Sequence, residues 1–129
     1  MLHHQTHRKL YLFFLFVLAL GLTMESTGVS SLIASLVGQL GMGFVSPAWY
    51  AISVLIILYL ITAILTELLS NNATIVIMAP IALELANQMS MGVDTARAYV
   101  LTACIAASAS FVTPIGYQTN TFVYSVGGY

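Results

Sequence analysis

The sequence predicts an all-α integral membrane chain that contains a re-entrant helical hairpin and a discontinuous helix. Three observations lead there. Of the 129 residues, 60% are hydrophobic and 5% charged, with three basic against four acidic, whereas a soluble domain carries about 25% charged residues. So few charges cannot cover a water-facing surface, and a formal net charge of −1 with a mean hydropathy of +0.98 equally excludes a disordered chain. Second, long apolar runs recur, and since one span takes roughly 20 residues the chain has room for about four with their connections. Third, two polar but uncharged interruptions, Ser70 to Thr74 and Thr113 to Asn120, stand inside apolar surroundings.

Residues 1–9 read as a polar N-terminal segment. The apolar run Leu10 to Leu22 follows Arg8 and Lys9 and closes in the polar stretch Thr23 to Gly28. A basic start before about 13 apolar residues also describes a signal peptide. No small-x-small cleavage pattern follows, so a short span with its basic end cytoplasmic is expected. From Val29 to Leu40, Val29, Leu32, Ile33, Leu36, Val37 and Leu40 recur at helical spacing, with Ser30, Ser31, Ser35, Gly38 and Gln39 opposite. A helix of about 12 residues is roughly 18 Å long. It is too short to cross, and it is expected to lie in the interface or pack on a neighbour before Gly38, Gly41 and Gly43 loosen the chain. Residues 10–47 are thus a membrane helix plus a short amphipathic helix.

Ser46 before Pro47 reads as an N-cap followed by proline at the first helical position. The longest apolar run, Ala48 to Leu65, starts there, with Trp49 and Tyr50 suited to the membrane interface. It runs into Thr66, Glu67, Leu68, Leu69, Ser70, Asn71, Asn72, Ala73 and Thr74, then turns apolar again from Ile75 to Leu83. Two apolar arms joined by an uncharged hydrogen-bonding turn predict a re-entrant hairpin over 48–90 with its tip at 70–74, because broken backbone at membrane depth needs protein or a polar cavity around it.

Asp94 is the expected N-cap of a helix from Thr95 to Val112, whose small residues Ala103 to Ser110 permit close helix packing. Pro114 and Gly116 then break it, so that 94–129 reads as a discontinuous helix, truncated at its C-terminus.

Each break offers free backbone groups and uncharged side chains: Ser70, Asn71, Asn72 and Thr74 in the first, Thr113, Gln118, Thr119 and Asn120 in the second. Oxygens of this kind coordinate Na+, and helix N-terminal amides hold anions. Discontinuous helices so placed point to a secondary-transporter binding site; ordinary surface loops built from turn formers are the alternative, against which stands the absence of Lys and Arg from both stretches. Glu67, one turn before Ser70, is an intramembrane carboxylate and a candidate for carrying a proton, tuning an ion site or capping the tip. Glu84 and Asp94 are expected to be hydrated. His3, His4 and His7 contain a metal-capable i, i+4 pair on an exposed terminus, and Cys104 reads as a buried inert thiol. No oriented nucleophile, Gly-rich phosphate loop or Cys/His zinc spacing argues for an enzyme, and no basic field argues for nucleic acid.

TELLSNNATIVIMAPIALEL, from Thr66 to Leu85, and SASFVTPIGYQTNTFVYSVGGY, from Ser108 to Tyr129, resemble the second half of the divalent-anion:sodium symporter family within the ion transporter superfamily. The resemblance extends from about Leu12 onward. It implies the second of two inverted repeats in a multi-pass protein of a bacterial-type inner membrane, homodimeric when full length. It further implies symport of Na+, as coupling ion and with no cofactor, with sulfate or a di- or tricarboxylate by an elevator movement. Carried over by position, Ser70 and Asn71 would touch substrate and Na+. Asn72 stands where the family often has Thr, and Thr74 is the substitute hydroxyl. Thr113, Pro114, Gly116 and Asn120 match the unwound segment that completes the sodium site. The chain is then about half a transporter, lacking the N-terminal repeat. A proton-coupled or efflux member, and a non-transporting membrane subunit that binds partner helices through Ala103 to Ser110, are the alternatives.

Overall fold

The computed structural model describes residues 2–44, 46, 49–89 and 92–128. They form six helices: α1 (Leu2–Ser26), α2 (Val29–Phe44), α3 (Tyr50–Leu68), α4 (Asn71–Gln88), α5 (Gly92–Ala107) and α6 (Gln118–Gly127). The all-α expectation holds. The helices α5 and α2 each pack on both α3 and α4, and α1 lies against α4 and α2.

Side-chain spacing in α3 explains its place. Val54, Leu58, Thr62 and Thr66 recur every fourth residue and are buried, while Ile52, Ile56, Leu60, Ile64 and Leu68 are exposed. Residues four apart share one helix face, so α3 turns one apolar-to-hydroxyl stripe inward and an aliphatic stripe outward. The inward stripe meets Met78, Ile81, Ala82 and Leu85 of α4, Tyr99 and Ala103 of α5, and Ala34 and Val37 of α2 in one core. Tyr99 donates its hydroxyl to the carbonyl of Ala51 at 3.2 Å, which satisfies the one polar atom that its ring carries into the core. In α5 the buried small residues Ala103, Ala106 and Ala107, continued by Ser110, keep the spacing that lets neighbouring helices approach closely.

Among the described residues α3 is the helix long and apolar enough to cross a membrane by itself; residues 11–26 and 29–43 pass the same test as a pair bent by 66°. The exposed apolar faces, with Phe13, Phe14, Leu15 and Leu18 of α1 among them, fit a membrane-associated chain.

Several local expectations are corrected. The helix after Thr27 and Gly28 does not end at Leu40 but runs on to Phe44, and Gly41 within it is a packing position: a Cβ there would lie 2.5 Å from Val54 Cγ2. Glycine lets α2 and α3 close up, and it does not loosen the chain. The helix α3 begins at Tyr50 with Trp49 as N-cap, and Ser46 accepts the Trp49 N–H at 3.0 Å; the proposed first helical residue Pro47 and the run's start at Ala48 lie outside the described residues, as do the side chains of His3, His4 and His7. Asp94 is not the N-cap of α5 but sits in its first turn, where it pairs with Arg97 at 3.4 Å. That helix stops at Ala107, five residues before Val112, and its terminal carbonyl, which no longer has an intrahelical partner, accepts a side-chain hydroxyl of α3, described next. Cys104 is exposed, not buried, because it lies off the Ala103, Ala106, Ala107 face. Past the second break the chain does complete a helix, the ten-residue α6, none of whose residues is buried.

Candidate functional site

The first break is two residues long. Leu69 and Ser70 take extended backbone angles, φ −117°, ψ 162° and φ −66°, ψ 149°, and α4 starts at Asn71. Ser70 is its N-cap: the hydroxyl accepts the Ala73 N–H at 3.3 Å and the carbonyl accepts that of Thr74 at 2.9 Å. Asn71, Asn72 and Thr74, expected at a non-helical tip, are therefore in the first turn of α4.

The second break spans 108–117, starting earlier than the expected 113–120. Gln118, Thr119 and Asn120 form the first turn of α6, which Tyr117 precedes in extended conformation. Two consecutive residues at the end of α3 fasten this segment. Thr66 Oγ1 lies 2.6 Å from the carbonyl oxygen of Ala107 and 2.8 Å from the side-chain amide of Asn71. A hydroxyl has one proton, which the two acceptors share, and the bond to Ala107 ties the end of α5 to α3. Glu67 receives three donors: Val112 N–H on Oε1 at 2.8 Å, and Thr113 N–H and Thr113 Oγ1–H on Oε2 at 2.9 and 2.6 Å. Ser110, buried, donates to the Thr66 carbonyl at 3.4 Å, and Asn120 Nδ2 donates to the Ser110 carbonyl at 2.6 Å, which ties α6 to the same segment. Thr121 Oγ1 donates to the Pro114 carbonyl at 2.7 Å.

Between the two breaks opens a cavity of about 600 Å³, lined by Glu67, Leu68, Leu69, Ser70, Asn71, Asn72, Ser108, Ile115, Gly116, Tyr117 and Gln118. The first residues of both α4 and α6 lie on it, so two helix N-termini, each carrying unpaired N–H groups and partial positive charge, border one volume. No Lys or Arg lines it, and Glu67 is its ionisable acidic group. A second cavity of about 380 Å³ is lined by Phe111, Val112, Thr113, Pro114, Asn120, Val123 and Tyr124.

Of the residues singled out from sequence, Ser70, Asn71, Asn72, Gly116 and Glu67 are brought together on the first cavity, and Thr113 and Asn120 on the second. Thr74 is not brought to either. It faces the core fully buried, and its Oγ1 has no hydrogen-bond partner among the described residues, because at the fourth position after the cap its side chain points back into the bundle. Thr66, Ser108 and Ser110 were not foreseen. Thr66 carries a sequence signal of sorts, since it ends a stripe of buried positions spaced by four, Val54, Leu58, Thr62 and Thr66. Among the described residues no group of three His, Cys, Asp or Glu side chains is arranged to hold a metal; a cation here would rest on carbonyl, amide and hydroxyl oxygens, the donor set that suits a weakly hydrated ion.

The profile of the citrate transporter family matches residues 5–106, which includes the first break and stops short of the second. An uncharacterised transporter of Synechocystis is 47% identical over 113 residues, covering 88% of this chain and 17% of its own. A probable sodium/sulfate cotransporter of Chlamydomonas reinhardtii is 39% identical over 109 residues, 82% of this chain and 11% of its own, and an uncharacterised transporter of Escherichia coli is 40% identical over 72 residues. The chain thus spans 11 to 17% of the first two of these relatives, so the expectation of half a transporter is too large. No solved structure matches.

Proposed function

The chain belongs to the citrate transporter family, and from that premise we propose that it is the part of a sodium-coupled secondary transporter that supplies one half of an anion site and one sodium site. The substrate is a small divalent anion, sulfate or a di- or tricarboxylate. In this reading 48–90 is a re-entrant hairpin and 94–129 a discontinuous helix of the second inverted repeat. The other half-site comes from the first repeat of the full-length protein, which works as a homodimer with an elevator movement.

The observation that carries the reading is the cavity flanked by the N-termini of α4 and α6 and lined by no basic side chain. The two helix ends favour an anion. A doubly charged one beside Glu67, with no Lys or Arg opposite, is held only if cations enter with it, and the oxygens of Ser70, Asn71, Thr113, Gly116 and Asn120 supply their ligands. Ser70, Asn71 and Asn72 meet the anion directly. Asn120 donates through Nδ2 to Ser110, which leaves its Oδ1 for the ion. The relatives named as sodium/sulfate cotransporters support sodium as that cation.

The test is uptake of labelled sulfate and citrate by the full-length transporter in vesicles, with sodium replaced by choline at fixed pH. Uptake is expected to fall by about tenfold or more, the loss that follows when a charge partner worth 1.4 kcal/mol or more is withheld. Equal uptake in choline would sink the sodium coupling and favour a proton-coupled carrier.

A further inference from the structure

We propose that Glu67 is a positioning residue: its carboxylate fastens the non-helical 108–117 segment to the end of α3 and so sets the spacing of the two helix N-termini across the cavity. The inference rests on the transport reading only for its kinetic readout.

Both carboxylate oxygens are engaged, Oε1 by Val112 N–H and Oε2 by the N–H and hydroxyl of Thr113. Two of the three donors are backbone N–H groups of a segment that has no helix or strand to pair them, and the third is the Thr113 hydroxyl. A carboxylate is an acceptor with about four lone-pair sites, which matches three converging donors where an amide side chain would match fewer. The fastening continues on either side of Glu67. Thr66 holds the Ala107 carbonyl, Ser110 holds the Thr66 carbonyl, and Asn120, in the first turn of α6, holds Ser110. Since α4 follows Glu67 after only Leu68, Leu69 and Ser70, the same carboxylate sits between the start of α4 and the segment that leads into α6. Gly116 folds over it closely enough that a Cβ there would lie 2.6 Å from Oε2.

The test uses the full-length transporter reconstituted in vesicles, comparing Glu67→Gln, Thr113→Val and the double variant. Glu67→Gln is expected to raise KM for sulfate or citrate about tenfold, as when one charge-assisted hydrogen bond is lost, with a smaller change in kcat and an unchanged pH profile. Thr113→Val acts in the same direction, and the double variant falls short of the product of the two because both remove one interaction. A second readout does not need transport: spin labels at the exposed positions Ile64 of α3 and Phe122 of α6 give one narrow distance distribution, which broadens in Glu67→Gln. Where Glu67→Gln does not fold, Thr113→Val reads the same tether by both measurements. An unchanged KM together with an unchanged distance distribution overturns the proposal, as does a pH dependence of uptake that disappears in Glu67→Gln, the mark of a proton carrier. A parent protein that moves neither anion defeats the transport reading, and the distance distributions then decide the tether alone.

Discussion

Replacing Gly116 by alanine is expected to abolish most transport. The added Cβ meets Ser110 Oγ first, then Glu67 Oε2 at 2.6 Å and Thr113 Oγ1 at 3.2 Å. None of the three can yield easily. Ser110 is buried, and the other two are bonded to each other. Relief therefore comes from the backbone of 108–117, and the start of α6 moves with it. A displacement near 1 Å at a positioned site costs on the order of 100-fold in rate, while the overpacking itself destabilises by about 1–3 kcal/mol. Sulfate or citrate uptake and a detergent thermal melt, measured on the same preparation of full-length protein, separate the two effects. Uptake equal to the parent would mean that the segment around Gly116 is not part of the site.

The second large effect is expected from Asn71→Ala. Its amide contacts Thr66 at 2.8 Å from the first turn of α4, and its side chain lines the cavity. Truncation removes a ligand of the proposed anion and cation and frees Thr66 to bond Ala107 alone. Loss of one such polar partner corresponds to about 1–3 kcal/mol, roughly a 5- to 150-fold weaker dependence on sodium and anion in uptake. Because Thr66 keeps its bond to Ala107, folding is expected to change little, and the melt should stay within a few degrees of the parent. Sodium activation identical to the parent would remove Asn71 from the ion site.

The parts of this molecule that were legible in sequence are those written in local patterns. The apolar run Ala48 to Leu65 marks α3, and the uncharged polar stretch Ser70 to Thr74 marks the first break. Pro114 and Gly116 mark the second. Local patterns do not say which residue 45 positions away will receive a carboxylate, so the binding of Glu67 to Val112 and Thr113 was visible only as an unassigned acidic residue. For the same reason the tie from Thr66 to the Ala107 carbonyl, at the end of α5, was not visible. Gly41 looked like a hinge because glycine is read as flexibility when its neighbours in space are unknown, and Val54 shows it to be a contact. Thr74 had the right chemistry two residues after Asn72. Helical continuation from Ser70 turned it into the core, which a tip drawn as a loop does not anticipate.

The central claim, that the cavity between the starts of α4 and α6 takes up an anion together with sodium, is tested most directly by protection from a thiol reagent. Gln118→Cys, on a full-length background with Cys104→Ser and any other cysteines removed, places a thiol on the cavity lining. Its rate of modification by a small charged methanethiosulfonate is expected to fall about tenfold when sulfate or citrate is added in sodium, as a site about 90% occupied would give, and to stay unchanged when the anion is added in choline. Equal modification rates with and without anion in sodium would contradict the account.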